Sequence, residues 1–243
     1  MICEVFSSIM GEGLFIGRRF IFVRFKGCPL NCIYCDEYKK YNKINLVEEK
    51  PGTFKFKKYD NLEDNLTETI LKLKTNDLFA VSFTGGEPLL YYEKIENYAK
   101  ELKKYGIKIH LESSGIYPNR INYPYDYASI DIKLMEHFKN IDKEKYYEIY
   151  ENELKSLKKL YRMKCNVYAK MVIMEDTSLK TVEIISQDIE SIGDIPLCIQ
   201  PVSPTYDYIT PPSKEKIFKI MDICGKYLSV MCVPQVHKIM NIL

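Results

Sequence analysis

Short apolar runs recur along this chain with room for one amphipathic helix between most neighbours, and this alternation restricts the fold more than any other feature. RFIFVRF (19–25), FAVSF (79–83), IKIHLE (107–112), YASIDI (127–132), VYAKMVIM (167–174) and PLCIQPV (196–202) read as strands. Helical periodicity falls at roughly 62–74, 90–105, 143–161, 179–192 and 213–226. Ile95, Ala99, Leu102 and Tyr105 share one helical face, and Gly106 ends it. Asp142 and Ser213 are N-cap residues. Tyr146, Tyr147, Tyr150, Leu154 and Leu157 form the apolar stripe of the third helix, and Val182, Ile185, Ile189 and Ile192 that of the fourth. One short strand is expected at each end of the series, LSVMCV (228–233) being the last. KINLVEEKPGTFKFKKY reads as a polar hairpin turning at Pro51-Gly52. The stretch GIYPNRINYPYDYA is too rich in Pro and Tyr for a good helix, so one crossover helix should be missing or stunted there. The expectation is a single α/β domain over 1–243, a mostly parallel sheet or barrel.

Parallel barrels carry their chemistry where strands end. Each strand here runs into a chemically busy segment: GCPLNC, TGGEP, ESSG, DIK, QPVSP and PQVHK.

Composition narrows the class. With 46% hydrophobic and 28% charged residues, the chain has the profile of an ordinary soluble globule. A net charge of +2 is too small for a nucleic-acid footprint. No apolar run approaches the ~18 residues of a membrane span. The N-terminus lacks the basic and apolar regions of a signal peptide. A cytoplasmic protein with reduced thiols is expected, with no nucleic-acid or membrane partner. Cys3, Cys165, Cys198, Cys224 and Cys232 are scattered singly and read as small buried hydrophobes.

The other three cysteines, Cys28, Cys32 and Cys35, stand in the spacing C-x3-C-x2-C. Three thiolates this close call for a metal. Structural zinc takes paired knuckles, yet there is no second cysteine pair, and His110, His137 and His237 are widely dispersed. A [4Fe-4S] cube held by three cysteines keeps one iron open, a defect in an electron carrier and an asset in a catalyst.

C-x3-C-x2-C followed one strand later by Thr84-Gly85-Gly86-Glu87-Pro88 resembles the radical S-adenosylmethionine (SAM) superfamily. The resemblance implies a partial (β/α)6 barrel. It also implies a [4Fe-4S] cluster whose open iron binds SAM, and one-electron cleavage of SAM to a 5′-deoxyadenosyl radical. Glu87 would accept the SAM ammonium, and Gly85 and Gly86 would let backbone groups approach it.

Within that superfamily, S-x-x-GEG upstream of the cysteines, Val-Arg-Phe before Gly-Cys, Cys-Asp after the third cysteine, QPVSP, and the tail PQVHKIMNIL resemble the 7-carboxy-7-deazaguanine synthases. That family converts 6-carboxy-5,6,7,8-tetrahydropterin to 7-carboxy-7-deazaguanine with loss of ammonia, on the routes to queuosine and archaeosine. The resemblance implies that Ile9, Met10 and Gly11 meet the pterin through their backbone, with Glu12 nearby and Arg24 on the substrate carboxylate. Thr84, His237 and Leu243 would also face the substrate, although His237 reads equally as a packed histidine. Tyr34, Asp36, Gly86, Ser113, Asp131, Ile132, Lys133, Gln200, Pro201, Val202 and Ser203 would lie near SAM. An electron donor such as flavodoxin or ferredoxin and a homodimer are implied as well.

Three positions depart from the family pattern. Glu37 stands where the family has a Thr or Ser that binds Mg2+; a carboxylate would also suit that ion, or would repel the substrate carboxylate. Met10 replaces a Gln. Asp131-Ile132-Lys133 replaces Ser-Pro-Lys and looks more like an activase that makes a glycyl radical on a partner enzyme. That activase, and a zinc-stabilised binding module, are the rival readings.

Overall fold

A computed structural model describes residues 1–35, 44–204 and 210–243. Its centre is six parallel strands in sequential order: β2 (Arg19–Phe25), β5 (Leu78–Gly85), β6 (Ile109–Ser113), β7 (Tyr127–Ile132), β8 (Asn166–Ile173) and β9 (Leu197–Pro201). Each pairs with the next, so the sheet winds in one direction without the reversal of a doubly wound fold. These are the six strands expected from the apolar runs. β10 (Val230–Cys232) continues the parallel set beyond β9.

The N-terminal addition is larger than expected. β1 (Ile2–Ile9) is as long as any central strand and pairs antiparallel with β2. It is buried from Ile2 to Ser8, with Ile2 and Val5 in the core beneath the helices and Phe6 on the inner face; β3 (Leu46–Glu48) pairs with its other edge at Glu4 and Val5, and β4 (Phe56–Lys58) closes the hairpin around Pro51-Gly52. The sheet therefore carries three extra strands on that side, not one.

Period-two alternation sorts the side chains. From β2, Ile21, Val23 and Phe25 join the large core beneath the helices, whereas Phe20 and Phe22 pack on the opposite, inner face. The base of the inner face is aromatic: Phe15, Phe20, Phe79, Tyr127, Tyr168 and the imidazole of His110 make mutual ring contacts.

The helices α1 (Leu66–Leu73), α2 (Tyr92–Lys103), α3 (Lys143–Arg162), α4 (Leu179–Glu190) and α5 (Lys214–Cys224) sit in the expected places. Asp142 and Ser213 accept hydrogen bonds from the backbone N–H of Lys145 (2.7 Å) and Lys216 (3.2 Å), as N-caps do. Between β6 and β7 there is only a 3-10 turn at Pro118–Arg120, the stunted crossover foreseen from its Pro and Tyr content.

Three packing expectations need correction. Tyr147 is 59% exposed, because it stands about 100° around the helix from Tyr146. The buried face of α3 runs through Tyr146, Ile149, Glu153, Leu157 and Leu160. Tyr105 lies beyond the end of α2 and is exposed. Cys232 is only half-buried on the short strand β10, while Cys3, Cys165, Cys198 and Cys224 are buried as expected.

Candidate active site

One inner-facing side chain near the C-terminal end of each central strand points into a shared cavity of about 350 Å3: Arg24, Thr84, Glu112, Asp131, Lys170 and Gln200. The strand ends place them there because the alternation that buries Phe20 and Phe22 carries on to Arg24. Cys28, Cys32 and Cys35 line the same cavity and form no disulfide.

The cysteine loop and the TGGEP turn are stitched together. Gly86 N–H donates to the Phe25 carbonyl (2.9 Å) and Glu87 N–H to the Gly27 carbonyl (2.7 Å). A Cβ on Gly86 would stand 2.0 Å from the Gly27 oxygen, and one on Gly85, at φ +106, would stand 2.5 Å from the Phe25 nitrogen. The two glycines thus serve first to let two loops meet. Glu87 departs from its expected role. It is fully buried, and its carboxylate accepts from Ser113 Oγ, Ser114 Oγ, and the N–H groups of Ser114 and Leu89. Burial raises its pKa, with those donors opposing. Glu87 therefore holds the turn against the end of β6 and is not among the cavity-lining residues.

Around the cavity the charged groups pair. Arg24 bonds Glu4 (3.0 Å) and lies over the Phe6 ring. Asp131 pairs with Lys133 (2.8 Å) and Lys170 (3.3 Å). Burial alone would raise the Asp131 pKa, but the two ammonium groups hold it at about 2. Burial works in the same sense on Glu12, and Lys170 at 2.7 Å keeps its carboxyl below the usual range. Glu112 is raised by burial, with Lys170 and a hydrogen bond from Thr84 (2.8 Å) opposing. Lys133 also donates to the Tyr34 hydroxyl (3.1 Å).

The tail closes the far side. Val236 N–H bonds the Gly11 carbonyl (2.9 Å), and Ser8 Oγ donates to the Leu243 oxygen (2.5 Å). His237 packs so tightly on Gly11 that a Cβ there would meet its Nδ1 at 2.3 Å.

Of the expected site residues, Ile9, Met10, Gly11, Glu12, Arg24, Tyr34, Thr84, Gly85, Gly86, Ser113, Asp131, Lys133, Gln200, Val202, Ser203, His237 and Leu243 line the cavity with the three cysteines. Ile132 is buried under the helices with the outer core, and Pro201 is half-buried outside the lining, since alternation turns both away from the inner face. Asp36 and Glu37 lie outside the described residues. Sequence reasoning missed Glu112, Lys170 and Gln235. The signal was available for Lys170, a charged residue at an inner position between Tyr168 and Val172; Glu112 follows His110 on the same inner face of its strand, so both inner positions of β6 are polar.

The donor set suits an iron–sulfur cube. Burial pushes the Cys28 thiol up to about 12 and raises Cys32 as well, so thiolates here need a cationic partner. Among the described residues no three His, Cys, Asp or Glu side chains converge on a single metal ion. Gln200 Oε1 is buried without a protein partner, as an acceptor awaiting a polar ligand would be.

The fold and this cavity define a radical SAM protein: the family model described as Radical SAM superfamily matches residues 22–189. The superfamily implies a [4Fe-4S] cluster and SAM. Curated 7-carboxy-7-deazaguanine synthases from Methanocaldococcus jannaschii (54% identical, covering 100% of both chains) and Methanothermobacter thermautotrophicus (34% identical, 99% of this chain and 97% of that one) are similar over their whole length. The chain belongs to the 7-carboxy-7-deazaguanine synthase family. In fold it is similar to the crystal structure of QueE from Escherichia coli, with a TM-score of 0.61 at 20% identity over 95% of this chain and 92% of that one. No described helix is long and apolar enough to cross a membrane.

Proposed function

We propose that this chain converts 6-carboxy-5,6,7,8-tetrahydropterin to 7-carboxy-7-deazaguanine, supplying 7-deazapurines for queuosine or archaeosine. The observation that carries the reading is a single cavity shared by the three cysteines, the Gly85-Gly86 turn and the tail Gln235–Leu243. Cys28, Cys32 and Cys35 would hold the cluster, and Asp131, Lys133, Gln200 and Ser203 would hold SAM. When bound, the cluster and SAM supply a hydrogen-abstracting radical. The chain's own residues orient the pterin and exclude side reactions. Arg24 offers a guanidinium to the substrate carboxylate, and Glu12 and Thr84 offer polar partners beside it. The tail also favours the pterin over a glycyl-radical partner: Gln235, His237, Lys238, Ile242 and Leu243 flank the cavity, where an activase needs an open groove for a peptide. The Asp-x-Lys pattern that suggested an activase is met by the Asp131–Lys133 ion pair.

The reading extends to Mg2+ at Glu37, to a flavodoxin- or ferredoxin-like reductant, to a homodimer and to a cytoplasmic location; family membership is the support for these. Anaerobically purified, reconstituted protein should convert the carboxytetrahydropterin when given SAM and dithionite. A loaded cluster that cleaves SAM and leaves the pterin untouched would overturn the substrate assignment. A magnesium requirement lost in Glu37→Gln tests the metal separately.

A further inference from the structure

Lys170 belongs to none of the motifs that pointed to the site, yet it stands at the centre of its charge network. It sits in NVYAKMVI (β8), and its side chain is 10% exposed. Its ammonium lies 2.7 Å from Glu12 Oε2 and 3.3 Å from Asp131 Oδ1.

These two carboxylates belong to different halves of the cavity. The other oxygen of Glu12 accepts from Gln235 Nε2 (2.7 Å), and Gln235 Oε1 accepts from Lys238 (2.6 Å), so Glu12 is tied to the tail. The other oxygen of Asp131 accepts from Lys133 (2.8 Å), which donates to the Tyr34 hydroxyl (3.1 Å) beside Cys35, so Asp131 is tied to the cysteine loop. A continuous chain of contacts thus runs Lys238–Gln235–Glu12–Lys170–Asp131–Lys133–Tyr34, and Lys170 is the link between its halves. Without that ammonium, two partly buried carboxylates, 22% and 26% exposed, lose their shared cation. Glu12 is left with Gln235 and Asp131 with Lys133, so nothing holds the two halves to each other.

We propose that Lys170 is a positioning residue that couples the tail half of the cavity to the cysteine half, so that substrate and SAM are held in one register; the assignment of pterin to the tail half rests on the function proposed above. Lys170 acts through Glu12 and Asp131.

The test compares Lys170→Met, Glu12→Gln and Asp131→Asn in the reconstituted holoenzyme. Three quantities are read: SAM affinity by equilibrium dialysis, KM for the pterin, and 5′-deoxyadenosine released per product formed. Glu12→Gln should raise the pterin KM about tenfold and leave SAM affinity within about twofold; Asp131→Asn should do the reverse. Lys170→Met should weaken both by about tenfold and raise uncoupled 5′-deoxyadenosine release. The double variant Lys170→Met/Asp131→Asn should bind SAM no more weakly than Asp131→Asn alone. Wild-type SAM affinity in Lys170→Met overturns the proposal, whatever the substrate proves to be. A change confined to one ligand overturns it too. If Lys170→Met does not load its cluster, Lys170→Gln is judged by the same pattern. A wild-type enzyme that binds SAM and ignores the pterin would sink the functional reading alone, because the SAM arm still judges Lys170.

Discussion

Gly86 stands where the cysteine loop and the TGGEP turn touch, and it has no room for a side chain. The contact that a Cβ would make is with backbone, the Gly27 oxygen at 2.0 Å, so relief requires the loops to part. Gly86→Ala should destabilise the protein by on the order of 1–3 kcal/mol in urea denaturation, and an unchanged midpoint would contradict the stitched-loop geometry. Glu153 makes a second argument at this scale. It is fully buried on α3, one oxygen accepts from Lys133 N–H (3.1 Å), and the other has no partner. Burial raises its pKa well above the ordinary value, with Lys133 opposing. A carboxyl raised on folding contributes stability below its unfolded value, about 4.3, and loses that contribution as pH rises. Glu153→Gln mimics the neutral form, so its melting temperature should gain on wild type as pH rises above about 4.3. A pH-independent difference would show that Glu153 is ionised. Gly86 was legible as a motif glycine; its packing partner was not, since Gly27 is 59 positions away in the sequence.

At the scale of elements, α3 shows how a cap and a stripe divide the work of placing a helix. Asp142 satisfies the Lys145 N–H at the start, and Ile149, Leu157 and Leu160 fix the buried face. Asp142→Ala should cost about 1 kcal/mol, whereas Tyr147→Ala, on the exposed side, should change stability by less than about 0.5 kcal/mol. Chemical denaturation of the two variants checks the ranking, and equal losses would contradict the observed helix phase. The cap was legible because capping is local chemistry. The stripe was misread by one residue because a run of tyrosines satisfies more than one helical phase.

Across the whole molecule, buried titratable groups pull stability in opposite directions with pH. His110 and His137 are fully buried, and burial lowers both to about 3. A histidine held neutral on folding contributes stability above its unfolded value, about 6.5, and loses it as pH falls. Glu12 and Asp131, both lowered by their lysines against the pull of burial, lose their contributions at lower pH in the same sense. Glu87, Glu112 and Glu153, raised chiefly by burial, act the other way and cost stability as pH rises above about 4.3. The urea midpoint of cluster-free protein should therefore pass through a maximum between about pH 4.3 and about pH 6.5. A midpoint that climbs steadily to pH 8 would contradict the upward shift of these carboxyls.

The sequence alone determined the six central strands, the missing crossover helix, the cysteine cluster and most of the cavity lining. The strands, the missing helix and the cysteine cluster are properties of short windows: period-two apolar runs, proline content and ligand spacing; the cavity lining was implied by the resemblance to the 7-carboxy-7-deazaguanine synthases. Only the tertiary structure decided that β1 would be a full strand, that Glu87 would turn away from the cavity, and that Lys170 would bridge Glu12 and Asp131. Each depends on which strands lie side by side and in what register, as where Asp131 pairs with Lys170 across β7 and β8. Pairing across a sheet joins residues far apart in the chain, and no local pattern encodes the distance between them.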